Sequence, residues 1–228
     1  MKQISDSFLN EYSYDFLSSI DIGIHRASLS AYFQMCNPDP ASTIIAFDVG
    51  SNAGSFIKAL QSYGFNSHCH CFEPHPVLYN HLKSSYNNIS VNDCCVSDIN
   101  GEQTIYIPDI SVGISSVINR PVFQSLGQEI FELKTKSVKL DTYCSDLNIE
   151  KIDFLKIDVE GAEKMVLDGA SEMLKSNKIT CGQFEVGSTL ADAGTSEQEI
   201  IELLNSFGYE TLHISASDMF FILKGKTK

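Results

Sequence analysis

The stretch Ile44-Ile45-Ala46-Phe47-Asp48-Val49-Gly50-Ser51-Asn52-Ala53-Gly54-Ser55-Phe56 decides the fold. It reads as a short buried strand ending in an acidic residue, then a glycine-bearing turn, then the first turn of a helix. The apolar run does not alternate with polar residues, as expected of a central parallel strand covered on both faces. Gly50 and Gly54 remove side chains where a ligand could touch the backbone or where helix and strand pack closely. Amides after Ser51 and Asn52 are free to donate to a bound group. A turn of this kind at the head of a parallel sheet is a nucleotide-type cofactor cradle.

The spacing bears on which cofactor. A dinucleotide fold uses G-x-G-x-x-G, which lets a pyrophosphate sit on the helix N-terminus. Here the pattern is Asp48-x-Gly50-x-Asn52-x-Gly54. A carboxylate at the strand end repels a pyrophosphate but suits a ligand carrying an ammonium or a sulfonium. S-adenosylmethionine carries both and has no phosphate. A second carboxylate, at the end of the next strand, is then wanted for ribose hydroxyls, and Glu73 in Cys71-Phe72-Glu73-Pro74 stands there. The competing reading is another α/β nucleotide or phosphate site.

Working outward, residues 1–40 read as a helical appendage and 41–228 as the cofactor-binding domain. Phe8, Tyr12, Phe16 and Ile20 recur at helical spacing, and Leu29, Tyr32 and Phe33 indicate a second short helix before Asn37-Pro38-Asp39-Pro40 breaks the chain. The appendage either packs beside the sheet or helps to form the substrate pocket. From residue 43 the pattern predicts strand 43–48, helix 53–63, strand 68–73, helix 76–86 and strand 90–95, a rhythm that means a parallel sheet with right-handed crossovers. In His68-Cys69-His70-Cys71 strand alternation sends the two His to one face and the two Cys to the other, so the four do not share a metal. After Asp98-Ile99-Asn100-Gly101 come extended pieces at Gln103–Ile107, Val112–Ile118 and Ser137–Leu140, an excursion beside the main sheet.

The second informative stretch is Ile152-Asp153-Phe154-Leu155-Lys156-Ile157-Asp158-Val159-Glu160-Gly161-Ala162-Glu163. Another apolar strand ends at Asp158, and a glycine turn leads into a helix from about Ala162. In a doubly wound sheet this strand neighbours the one ending at Asp48, with Asp158 and Glu160 facing the crevice and Glu163 at the helix N-terminus, where the dipole favours an anion. Strand Ile179–Glu185 ends in the same way. Helix 196–206 follows, and Tyr209–Ile214 with Met219–Leu223 close the chain as an antiparallel pair at one edge.

Composition narrows the function. A chain of 228 residues with 43% hydrophobic residues is long enough for one well-buried core. The net charge of −13 argues against sequence-independent nucleic-acid binding and against an anionic membrane surface. No segment has the length of a membrane span and no basic-then-apolar leader is visible, so a cytoplasmic protein is expected. The seven cysteines are odd in number and lie mostly in apolar runs, which suits reduced thiols.

Taken together, Phe47-Asp48-Val49-Gly50-Ser51-Asn52-Ala53-Gly54, Phe72-Glu73-Pro74, Val96-Ser97-Asp98-Ile99-Asn100-Gly101, Val138-Lys139-Leu140-Asp141-Thr142 and the block from Asp153 to Glu163 resemble the FkbM-type methyltransferases. The resemblance runs from about 43 to 224, and Lys-Ile-Asp-Val-Glu-Gly-Ala-Glu is its most specific part. It implies an α/β fold: a doubly wound, mostly parallel seven-stranded, Rossmann-like methyltransferase sheet with an antiparallel closing hairpin. It also implies an S-adenosylmethionine-dependent O-methyltransferase acting on a sugar, glycan or natural-product hydroxyl. Carried over by residue, Asp48, Gly50, Asn52 and Gly54 line the methionine end of the cofactor, with Ser51 in the same turn. Glu73 and Pro74 take the ribose side, and Asp93 and Cys94 the adenine rim. Asp93-Cys94-Cys95 departs from the family's usual Asn followed by small apolar residues. The family's serine-bearing loop corresponds to Gly113-Ile114-Ser115-Ser116.

By the same resemblance Asp158 either holds the cofactor's amino group or takes the acceptor's proton. The sulfonium already activates the methyl, so positioning does most of the work, and a placed base adds about 10²–10⁴-fold. The candidate bases are Asp158 and Glu160, then Glu185, with His213 an outsider. Glu160 has an alternative role, accepting bonds from helix-start amides. No metal site is assigned, although a less favoured variant has Asp158, Glu160 and Glu185 holding Mg²⁺. The expected partner is a small-molecule or glycan acceptor, with neither nucleic acid nor membrane, and a homo-oligomer is left open. The alternatives are a nucleic-acid methyltransferase on the same fold, a dehydrogenase, or a non-catalytic nucleotide-binding module. Acceptor specificity is expected from residues 1–40 and 103–135.

Overall fold

A computed structural model describes residues 22–109, 111–125 and 127–225. The chain opens with α1 (Ile22–Cys36), then alternates β1 (Ile44–Val49), α2 (Ser55–Gln61), β2 (Ser67–Phe72), α3 (Pro76–Ser85) and β3 (Ile89–Asn92). The excursion follows as β4 (Cys94–Val96), β5 (Gly101–Pro108), a 3₁₀ turn at Val112–Ile114, α4 (Pro121–Ser125) and β6 (Ile130–Val138). Alternation resumes with α5 (Leu140–Asp146), β7 (Ile152–Ile157), α6 (Glu163–Asp168), α7 (Ser171–Lys175) and β8 (Ile179–Glu185). It closes with α8 (Ser188–Asp192), α9 (Glu197–Ser206), β9 (Tyr209–His213) and β10 (Asp218–Leu223).

Seven strands form the main sheet in the order β3-β2-β1-β7-β8-β10-β9. All neighbours are parallel except β10, which runs antiparallel to β8 and β9. Apolar residues on both pleats make a three-layer domain, as the unalternating runs require. Ala46, Phe154, Cys181 and Phe220 face α1 and α2, where Leu29, Tyr32, Phe56 and Ile57 cover them. Phe47, Leu155, Phe184 and Phe221 face the other way, under Leu140, Val166, Ile200 and Leu204.

Three expectations change. The strand predicted at 90–95 is broken at Asp93: β3 ends the main sheet, and β4 leaves it to pair in parallel with β6. β5 adds to β6 antiparallel, so the excursion is a three-stranded side sheet. The extended piece predicted at 112–118 holds a 3₁₀ turn and a single bridge, Tyr106 to Ser116. The helix predicted from about Ala162 divides at Gly169 into α6 and α7: the Gly169 carbonyl accepts from the Asp141 amide, and the Asp141 carboxylate accepts from the Glu172 and Met173 amides that start α7. The helix predicted from Phe8 to Ile20 lies outside the described residues.

Candidate functional site

β1 and β7 are adjacent, and the chain leaves them towards opposite edges of the sheet. A crevice therefore opens above their C-terminal ends. The turn after β1 is built against the turn after β7. Gly50 has φ +78, and a Cβ there would lie 1.8 Å from the Asp158 carbonyl oxygen, so only glycine fits. Gly54, φ +90, precedes α2 against the Tyr86 ring, whose hydroxyl donates to the Ala53 carbonyl at 3.0 Å. The Ser51 hydroxyl closes the turn by donating to the Asp48 carbonyl at 2.8 Å.

Asp48 does not line this cleft. Register places Asp48 opposite Lys156, and Asp48 Oδ1 lies 3.0 Å from Lys156 Nζ with both side chains buried. The ammonium also donates to the Gly50 carbonyl at 2.5 Å and lies 3.6 Å from Asp158 Oδ2. Burial opposes the charge on Lys156, but Asp48 and Asp158 outweigh it and hold its pKa above the usual lysine value. The strand-end carboxylate thus holds the turn together rather than facing a ligand.

The cleft opens to solvent, and the space in and above it, open solvent included, is about 700 Å³. Its walls are apolar, with Val49, Phe72, Pro74, Leu78, Val96 and Ile105 prominent, and Asn52, Glu73 and His75 also reach it. Glu73 accepts from the Asn52 and His75 amides, both at 2.8 Å. Burial pushes its carboxyl up to about 7 against the pull of those two bonds. His75 is buried and its pKa is lowered by desolvation. Neither of its ring nitrogens, nor Asn52 Oδ1, has a hydrogen-bond partner among the described residues. Polar atoms without partners beside an apolar slot fit a ligand with a flat ring and a hydrogen-bonding edge. Cys95 and Val96 line the cleft, whereas the sequence pointed to Asp93 and Cys94. The break before β4 moves the lining along the chain, leaving Asp93 exposed, 3.7 Å from Lys136 Nζ.

At the other end three carboxylates converge: Asp158, Glu160 and Glu185 offer oxygens within 4.8 Å of one another. Glu160 has φ +57 and precedes Gly161 at φ +105, so its side chain is carried on a left-handed backbone. Arg120, buried, donates from Nη1 to Glu160 Oε2 at 2.9 Å and from Nε to Asp192 Oδ2 at 3.3 Å. Burial raises the Glu160 carboxyl to about 7, Asp158 adds to the rise, and Arg120 opposes it. Burial and the neighbouring carboxylates, Asp158 first, raise Glu185 further, to about 9. The helix-start role considered for Glu160 belongs to Glu163, whose Oε1 accepts from the Val159 and Gly161 amides at 3.1 and 3.3 Å. Gly113, Ser115 and Ser116 of the excursion line the cleft, and the Ser116 hydroxyl donates to the Val159 carbonyl at 3.1 Å.

A Methyltransferase FkbM domain model matches residues 48–211, most of the chain, from the end of β1 into β9. The chain belongs to the FkbM methyltransferase family. Among relatives, 2-O-methyltransferase NoeI of Sinorhizobium fredii is 24% identical over 196 residues, covering 81% of this chain and 77% of NoeI. The plantazolicin methyltransferase BpumL, solved in complex with SAH, superposes with a TM-score of 0.53 at 7% identity, over 98% of this chain and 90% of BpumL. Methyltransferase FkbM from Methylobacillus flagellatus is 16% identical with a TM-score of 0.48, over 83% of this chain and 47% of that one. The present chain thus spans about half the length of that FkbM structure.

A buried histidine that the sequence reading did not single out lies outside the FkbM match. His25 of α1 is buried, with Nδ1 3.0 Å from Gln183 Nε2 and Nε2 3.0 Å from Ser55 Oγ. Burial lowers its pKa, as does nearby Lys156. The helix before the family match therefore reaches the start of α2, below the turn after β1. Its signal was present, since His25 shares one helical stripe with Leu29 and Tyr32. His213 stands apart, half-exposed and 2.9 Å from Glu197. Among the described residues, no helix is long and apolar enough to cross a membrane.

Proposed function

We propose that this FkbM-family protein is an S-adenosylmethionine-dependent O-methyltransferase acting on a hydroxyl of a sugar, glycan or natural product. Glu160 is the general base, Asp158 the contact to the cofactor's ammonium, and the slot beside Glu73 and His75 the nucleoside end. The observation that carries this reading is the arrangement of the cleft. A neutral, apolar slot with unpartnered polar atoms leads to a cluster of carboxylates, an order that suits a nucleoside joined to a cationic tail. The 2-O-methyltransferase NoeI, matched over most of both chains, supports oxygen as the accepting atom.

S-adenosylmethionine, when bound, supplies a methyl on a sulfonium, and attack by the acceptor oxygen breaks the carbon–sulfur bond to leave S-adenosylhomocysteine. The protein orients the acceptor and removes its proton. Glu160 Oε2 is held by Arg120, which leaves Oε1 to take that proton. A carboxylate poised near neutrality matches this task better than Glu185, which keeps its own proton until about pH 9. We assign no divalent ion to these carboxylates, since Arg120 already brings positive charge to Glu160. Helix α1 is assigned to the cofactor side through His25, and the described residues between 103 and 135 to the acceptor side.

Calorimetry with S-adenosylmethionine, followed by methyl transfer to a panel of sugars and hydroxylated metabolites, tests the reading. Binding and a methyl ether product are expected, and Asp158→Asn is expected to weaken the binding. No heat with S-adenosylmethionine but tight uptake of a nicotinamide or flavin dinucleotide would overturn it.

A further inference from the structure

Arg120 is not part of the sheet that carries the carboxylates. It arrives from the excursion, one residue before α4, and joins three segments far apart in sequence: its own loop, the turn at Glu160 and α8 at Asp192. Its guanidinium carbon lies 4.7 Å from the centre of the Phe123 ring, so one face is covered by an aromatic while its edge is aligned on two carboxylates. Four constraints on one side chain (burial, ring and two ion pairs) leave it little freedom. The same excursion is tied to the same turn a second time, through Ser116 and the Val159 carbonyl.

Glu160 needs such a tie. Its backbone is left-handed, a conformation side chains other than glycine's rarely adopt. Among the described residues the other charges that bear most on it are negative: Asp158 before it, Glu163 behind it and Glu185 from β8, with Asp218 of β10 acting on Glu185. Asp192 lies beyond Arg120, and Lys156 is engaged below by Asp48 and Asp158. Among the described residues, Arg120 is the cation that contacts Glu160.

We propose that Arg120 is the positioning residue for Glu160, so that the base is set in place by the acceptor-side excursion rather than by the sheet that carries it. This rests on the methyltransferase reading with Glu160 as base. Docking of the loop that faces the acceptor and placement of the base are then one event. A rival role for Arg120, as a receptor for an acidic group on the acceptor, is opposed by the alignment of Nε and Nη1 on the protein's own carboxylates.

The test uses Arg120→Ala, Arg120→Lys and Arg120→Ala/Glu160→Gln in the full chain. Arg120→Ala is expected to lower kcat by about 10²-fold, the scale of a base misplaced by an ångström, with S-adenosylmethionine affinity unchanged. Arg120→Lys is expected to recover part of the loss, as is added ethylguanidinium with Arg120→Ala. The double variant is expected to be no slower than Glu160→Gln alone, since a residue acting only through Glu160 has nothing further to remove. Multiplied effects in the double variant would overturn the proposal. So would a loss confined to KM for carboxylate- or phosphate-bearing acceptors, which would make Arg120 an anion receptor. Hydrogen exchange on the unliganded protein reads the tie without any turnover: Arg120→Ala should speed exchange at both 111–125 and 159–161, and unchanged exchange overturns the proposal. If Arg120→Ala does not fold, Arg120→Lys carries the exchange and kinetic comparisons. If the wild type turns over and only Glu160→Gln fails, the functional reading stands and the Arg120 proposal falls. If the wild type binds no S-adenosylmethionine, the functional reading falls while exchange still reports on the tie.

Discussion

The proposed cofactor side and the proposed acceptor side of the cleft are made in different ways. On the cofactor side the polar groups follow strands of the central sheet and are held across adjacent strands of it: Lys156 of β7 reaches Asp48 of β1, and Glu73 after β2 accepts from the Asn52 amide after β1. On the acceptor side the groups come from a three-stranded side sheet, the loop before α4 and the turn after β7, and the bonds that matter cross forty residues or more. One side is fixed by the core and the other by contacts between separate segments. Damage to the first should therefore appear as lost stability, and damage to the second as lost turnover.

The largest effect expected is on the cofactor side. Lys156→Met removes one partner of a fully buried ion pair and leaves Asp48 uncompensated, which should cost about 3–5 kcal/mol of stability, read from urea unfolding. A loss below about 1 kcal/mol, the range of exposed pairs, would mean that water reaches the pair and that the two sides differ less than their construction indicates. Next comes Glu160→Gln, expected to lower kcat by about 10²–10⁴-fold with no loss of stability and unchanged heat on cofactor binding. A fall in melting temperature in place of a fall in kcat would put Glu160 with the core.

The pH profile sharpens the same contrast. Glu160 must be unprotonated to act, and its carboxyl is raised to about 7. Turnover should fall roughly tenfold per pH unit below that value and level off above it. An acid limb in the ordinary carboxylate range would take the role from Glu160. The smallest effect concerns Glu185, raised to about 9 by burial and by the carboxylates beside it. Between the ordinary carboxylate range and about pH 9 the folded protein keeps a proton that the unfolded chain releases. Its contribution to stability is complete at low pH and lost as pH rises through about 9. Glu185→Gln should therefore be nearly silent at about pH 4, raise Tm already at neutral pH, and raise it further until the gain levels off above about pH 9. A gain at neutral pH equal to that at alkaline pH would contradict the assignment.

What the sequence revealed follows the same division. The strand, turn and helix from Ile44 to Phe56 were legible because apolar continuity and glycine placement are local properties. Glu160 and Glu185 were legible as carboxylates at strand ends. The break at Asp93 was not, because it depends on β4 pairing with β6 some forty residues away. Arg120 carries no local mark, being one polar residue in a loop whose burial comes from partners elsewhere. Lys156 did carry one: a lone charge inside Phe154-Leu155-Lys156-Ile157, a strand buried on both faces, has to be paired. That pairing is also why Asp48, read as a ligand contact, turns inward.

Lys156 has one more consequence, through the carbonyls it holds. Its ammonium pulls the Gly50 carbonyl oxygen towards the interior, and a peptide plane fixed at its oxygen is fixed at the following N–H as well. The turn's dipoles are thus oriented before any guest arrives, and association need not freeze them. Encounter at this rim should look like a key entering a cut lock, with a small entropic penalty and an on-rate set by diffusion and access.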